Sequence, residues 1–275
     1  MDQAPQPPMD QPRPSSLVVM IGPPRSGTTL IANTFMSHSK VAGLIEPWHR
    51  RRDEDYATTD PARLMAENGL TPSLGQPHLA IKETTTRGVN VDLSLKLLQT
   101  AADQGIYPAL IVILRCPFAA FLSQVEASRQ MWREQKLTEA SQDTLGRWVN
   151  AQSRALKKIT DNARVQHFRL ISYEAFCAHP ASEMARLMAL IPERLEADQM
   201  QLRPPAGLAA GDPKTRAKAG RIELTDRSPA IAELIETVGP GKPLDFCQQL
   251  RKIVLDHVCH EPDAVTLDRL SRLVA

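Results

Sequence analysis

Apolar residues along this chain follow two rhythms. Short runs, "SLVVMIG" from residue 16, "HLAIK" at 78–82, "ALIVILR" from 109 and the more mixed "VQHFRLISY" from 165, read as strands, the third of them an unusually pure buried one. Between them, longer stretches place apolar residues on one helical face: "GTTLIANTFMSH" with Leu30, Ile31, Phe35 and Met36, then "NVDLSLKLLQTAADQG", "PFAAFLSQVEASRQMW" and "ASEMARLMALI". Asn90 is expected to cap the second of these helices and Gly105 to end it, while Pro117 opens the third in a tolerated first-turn position. A further helical stretch runs to about residue 160, and three short amphipathic helices between about 229 and 275 are expected to pack on the sheet. Strand and helix in alternation predict an α/β fold, three layers deep, around a parallel sheet of about four to five strands.

Two segments break the rhythm. Residues 1–15 hold five prolines and almost nothing to bury, which predicts a disordered Pro/Gln-rich tail ahead of one domain over 16–275. The stretch 204–228, rich in Pro, Gly and basic residues, reads as a functional loop.

Composition narrows the options further. With 42% hydrophobic and 23% charged residues in 275, the chain has enough apolar material for a sizeable core. A net charge of +2 is too small for general nucleic-acid binding, so anion recognition has to come from a local cluster. The four cysteines lack the paired spacing of zinc or redox motifs and read as reduced thiols. There is no secretory n-region, and "ALIVIL" is far shorter than the roughly 20 residues that span a bilayer. The expectation is a cytoplasmic protein with no transmembrane segment.

The first strand runs into "GPPRSGTT", residues 22–29. Gly22 and Gly27 keep the spacing of a triphosphatase loop, but Thr28 stands where that loop has lysine. A strand, a Gly/Pro turn and a helix start gather backbone N–H groups at the positive end of a helix dipole, where anions collect. The cation here is Arg25, and "ALIVIL" ends in Arg115 where a kinase would carry a magnesium-binding carboxylate. Ser123, about two turns into the next helix, forms a second anion site with Arg115 if both face the loop. A strand-to-helix turn with a Ser/Thr cap is the plain alternative for the loop taken alone.

"PPRSGTT" resembles the 5′-phosphosulfate loop of the sulfotransferases, and "LRCPFAAFLS" resembles their 3′-phosphate segment. "LISYEAFCAHPASEMARLMALI" is similar to the family's Tyr-Glu strand-helix, and "GDPK" at 211–214 to a loop that closes over the cofactor in several bacterial members. The resemblance covers about residues 17–216 and implies a P-loop-like fold of the bacterial type. It implies 3′-phosphoadenosine 5′-phosphosulfate (PAPS) as donor, adenosine 3′,5′-bisphosphate (PAP) as product, and no metal. On that resemblance Pro24, Arg25, Ser26, Gly27, Thr28 and Thr29 hold the 5′ end, and Arg115 and Ser123 the 3′-phosphate. Tyr173 lies near the adenine or is only a half-buried strand-end tyrosine, and Lys214 closes the site.

Transfer to a hydroxyl needs a general base. "VAGLI" would be a strand delivering Glu46 to the loop's edge, where it resembles the glutamate of bacterial-type and tyrosyl-protein sulfotransferases; His49 is the rival. Lys82 resembles the lysine many members place after their next strand, although "KET" departs from the more usual "KDP", and it is assigned to charge stabilisation beside Arg25. Trp48 and His49 head a basic-aromatic cluster that would contact the acceptor, or a solvated charge run answered by Asp53, Glu54 and Asp55. The acceptor is expected to be a hydroxyl or amine of a small molecule, carbohydrate or lipid, chosen by segments 47–78 and 128–150. A P-loop small-molecule kinase and an inactive nucleotide-binding protein are the alternatives.

Overall fold

The computed structural model describes residues 13–48, 58–70, 75–132, 139–163, 167–200, 222, 224–258 and 263–275. Five strands form one parallel sheet: β1 (Ser16–Gly22), β2 (Val41–Ile45), β3 (His78–Thr84), β4 (Tyr107–Leu114) and β5 (His167–Ser172), in the order β2-β3-β1-β4-β5. Every residue of β1 is buried, as an inner parallel strand covered on both faces requires. Chain order steps out from β1 to β2, back to β3, then across β1 to β4. The reversal leaves a crevice beyond the C-terminal ends of β1 and β4, the place where such sheets bind ligands.

Alternating side chains feed two cores. Leu17, Val19, Ile21, Leu79, Ile81, Leu110 and Val112 face α3 (Gly88–Asp103), α5 (Gln142–Ala163) and the last two helices, α9 (Lys242–Val258) and α10 (Asp263–Val274). Val18, Met20, Ala80, Ile111 and Ile113 face α1 (Thr28–Met36) and α7 (Pro180–Met188). Each of the Val, Leu, Ile and Met side chains contributes about 1.5–3 kcal/mol on leaving water. A third apolar cluster joins α4 (Pro117–Ala127), α5 and α8 (Ser228–Val238).

The α/β architecture and the parallel sheet agree with the sequence pattern, and local details differ. Helix α3 begins at Gly88, so Asn90 sits inside its first turn and not at its cap. Tyr173 opens a short helix, α6 (Tyr173–Ala178), instead of closing β5, because Ser172 accepts a hydrogen bond from the Ala175 N–H and caps it. Helix α4 passes into a π turn at Ser128–Trp132. Helix α8 packs on α4, whereas α9 and α10 reach the sheet at β5. Helix α2 (Pro61–Glu67), capped by Asp60, has no counterpart in the sequence reading. The expected tail to residue 12, His49, and Lys214 with most of its loop lie outside the described residues.

Candidate active site

The loop after β1 is shaped by close approaches. A Cβ on Gly22 would lie 2.3 Å from the Ile113 carbonyl oxygen, so glycine lets the loop leave the sheet against β4. At Gly27, with φ 78°, a Cβ would lie 2.2 Å from Tyr173 Cδ2, and the tyrosine ring rests there instead. Arg25 adopts φ 66°, a left-handed conformation that costs a residue with a Cβ about 1–2 kcal/mol. Pro24 and Thr28 are buried and Thr29 is half-buried. Ser26 is fully buried and its hydroxyl has no partner. No side chain caps α1, so its first N–H groups remain open to an anion.

Strand β4 and helix α4 bring polar side chains to this loop. Arg115, at the end of β4, donates from Nη1 to the Arg25 carbonyl at 2.8 Å, and its guanidinium carbon lies 4.4 Å from the Tyr173 ring centre. Arg25 donates from Nε to Ser123 Oγ at 3.2 Å, so the two anion subsites of the sequence reading meet. Burial lowers the Arg115 pKa, opposed by Tyr173 and Glu174, while burial pushes the Tyr173 phenol up to about 12. Arg115 Nε is buried without a partner.

Two further members were not assigned to the site from the sequence. Arg227, just before α8, donates from Nη2 to Glu126 at 3.0 Å, keeps a buried, unpartnered Nε, and lies near enough to Arg115 to depress its pKa. Glu126 is three residues after Ser123 and therefore on the same face of α4. Glu174, whose pKa is raised by burial, accepts the Cys116 N–H at 3.0 Å and so joins the turn carrying Arg115 to the turn carrying Tyr173.

The second half of the site lies on β2 and β3. Strand register aligns Ile45 with Lys82 and Met20 with Lys82, so Glu46 stands at the same edge as the loop, two strands and roughly 10 Å away. Glu46 also adopts a left-handed backbone, φ 50°, and it and Arg25 are the two non-glycine residues that do so among the described residues. Its N–H donates to the Lys82 carbonyl at 2.8 Å, and the Lys82 ammonium donates to its carboxylate. The lysine side chain is 2% exposed and that of Glu46 25%, so the carboxylate is the member of the pair that meets the crevice. Trp48, expected at the acceptor, is instead enclosed in the core, its Nε1 donating to the Thr58 carbonyl at 3.3 Å. Its size and apolar surface outweigh the charged residues around it in sequence.

Glu83, next to Lys82, escaped the sequence reading. It is fully buried and accepts from Asn90 Nδ2 at 2.9 Å and from the Trp48 N–H at 3.4 Å. Burial first, and the charge of Glu46 second, push its pKa up to about 7, against Lys82 and backbone N–H donors. Among the described residues, no group of three His, Cys, Asp or Glu is placed to hold a metal ion, and no helix is long and apolar enough to cross a membrane.

No family model matches the sequence, and neither does any curated protein. Among solved structures, the chain is similar to the sulfotransferase domain of the curacin biosynthetic pathway, with a TM-score of 0.57 and 14% identity over 90% of this chain and 99% of that one. It is also similar to the sulfotransferase domain of the Synechococcus PCC 7002 olefin synthase, with a TM-score of 0.51 and 14% identity over 91% of this chain and 98% of that one. The α/β fold built around the Arg25 loop is therefore the fold of sulfotransferase domains.

Proposed function

We propose that the chain is a sulfotransferase that uses PAPS and a hydroxyl acceptor. The observation that carries this reading is the set of buried donors without partners, Ser26 Oγ, Arg115 Nε and Arg227 Nε, around a loop beside Arg25 and an uncapped helix start. Buried polar groups are almost always satisfied, so three orphaned groups able to donate at one place fit an anionic ligand, with Glu174 Oε2 an orphaned acceptor on the far side of Arg115's turn. Two phosphate groups suit the arrangement: one on the loop N–H groups and Arg25, the other on Arg115, Arg227 and Ser123. Tyr173, packed against Arg115 and the Gly27 turn, would lie at the adenine end of the donor.

The donor supplies an activated sulfuryl group whose bond to the 5′-phosphate breaks as the acceptor oxygen bonds to sulfur. Glu46 takes the acceptor's proton, so an alcohol and PAPS give a sulfate ester, PAP and a proton. Lys82, held against Glu46, orients the carboxylate and adds positive charge near the transferred group. Arg25 and the loop N–H groups meet the charge that develops on the bridging oxygen. The preset left-handed backbone at both Arg25 and Glu46 is the kind of strain that functional sites retain.

A labelled-sulfate transfer screen over carbohydrate, lipid, phenolic and amine acceptors tests the activity. Transfer to at least one class, lowered about 100-fold or more in Glu46→Gln, is the expected result. Equal transfer by wild type and variant would remove Glu46 from the reaction.

A further inference from the structure

Strand β3 carries a second polar residue that the transfer scheme does not use. Alternation along the strand sends Lys82 to the α1 face of the sheet and Glu83 to the α3 face. From these opposite faces the two residues grip one turn, Glu46-Pro47-Trp48. Lys82 holds Glu46 through its ammonium and its carbonyl. Glu83 accepts the Trp48 N–H on Oε1, and on Oε2 the Nδ2 of Asn90 in the first turn of α3. A residue with a Cβ at φ 50° relaxes unless its neighbours hold it.

We propose that Glu83 is a positioning residue: it ties the Glu46–Trp48 turn to α3 and thereby keeps the Glu46 carboxylate at the ligand edge. The role given to Glu46 rests on the sulfotransfer reading, whereas the brace is a property of the fold. The groups that face Glu83 are Glu46, Lys82, Asn90 and the N–H groups of Trp48 and Thr84. Its titration near neutrality means that the brace changes from carboxylate to carboxylic acid within the range where assays are run.

Two substitutions separate brace from charge. Glu83→Gln keeps an acceptor for the Trp48 N–H and, once the Asn90 amide turns over, a hydrogen bond to α3. Glu83→Ala removes both, and Asn90→Ala removes the anchor while leaving the carboxyl. The first readout is hydrogen exchange of the Trp48 backbone amide, followed by NMR on the full chain. Faster exchange in Glu83→Ala and Asn90→Ala, with wild-type protection in Glu83→Gln, is expected. The second is acceptor-independent hydrolysis of PAPS to PAP and sulfate, with PAP-induced thermal stabilisation as the measure of donor binding. Turnover is expected to fall about tenfold or more in Glu83→Ala, as small misplacements of a reacting group do, with PAP binding unchanged and with rescue by Glu83→Gln.

Unchanged Trp48 exchange in both Glu83→Ala and Asn90→Ala overturns the brace. Full turnover in Glu83→Ala overturns the positioning role. A wild-type chain that neither binds PAP nor hydrolyses PAPS would defeat the donor assignment instead, and the exchange data would still decide the brace.

Discussion

The two ends of the central sheet treat their polar groups in opposite ways. At the N-terminal end, Ser16 Oγ and His78 Nδ1 are hydrogen-bonded at 2.8 Å, His78 Nε2 meets Glu193 at 3.3 Å, and Lys40 donates to the same carboxylate at 2.9 Å. His38 donates to the Arg194 carbonyl and accepts the Lys40 N–H. The ring nitrogens are used, and the loop after α7 is fastened to α1 and β3. At the C-terminal end, Ser26 Oγ, Arg115 Nε and Arg227 Nε are buried with nothing to donate to. An end that completes its own hydrogen bonds serves stability, and an end that leaves buried donors unanswered fits a ligand.

The largest effect that would sharpen this contrast is catalytic. Glu46→Gln should lower steady-state sulfuryl transfer by about 10²- to 10⁴-fold, the usual contribution of a general base, while PAP binding stays at its wild-type level. Next, Arg115→Ala should weaken PAP binding about 100-fold in a calorimetric titration, since it removes charge-assisted bonds worth roughly 1.5–3 kcal/mol. Arg227→Ala should cost about tenfold, because part of its charge is already answered by Glu126. Neither substitution should disturb the opposite end.

His78→Gln should do the reverse, lowering stability by about 1–3 kcal/mol in urea unfolding and leaving PAP affinity unchanged, since it disturbs buried bonds remote from the loop. The smallest effects are the pH slopes. Burial lowers the His78 pKa from 6.5, so the unfolded chain binds more protons and stability is lost as pH falls below 6.5. Glu83 has the opposite sign: its pKa rises from 4.5 to about 7, so the folded chain binds more protons and stability declines as pH rises across that window. Glu83→Gln should flatten the stability curve between those values, and His78→Gln should flatten its acid side. A Glu83→Gln curve that keeps the wild-type slope would contradict the buried, titrating carboxyl.

Legibility followed burial. Strands β1, β3 and β4 were plain in the sequence because inner parallel strands are apolar on both faces, and the loop was plain because glycine spacing reports backbone geometry directly. Helix α2 was not, since seven residues between charged and polar segments give little periodicity. Asn90 looked like a cap, but its amide serves Glu83 inside the helix, a tertiary demand that overrides the local preference. Glu83 left one faint trace: in "HLAIKET" it occupies the same inward register as Leu79 and Ile81, where a charge is out of place. Glu174 stood in the Tyr-Glu segment and Arg227 in the basic stretch 204–228, but nothing local tied either to Arg115, because their proximity to it exists only once α8 and α6 have docked. Trp48 was misleading for the same reason, a core residue among charged neighbours.

The most direct test of the donor assignment is calorimetric titration of the full chain with PAP, and separately with ATP, in chelator without magnesium. Saturable binding of PAP that is tighter than that of ATP and is largely lost in Arg115→Ala is the predicted result. No binding of PAP at high concentration, or tighter binding of ATP, would contradict it.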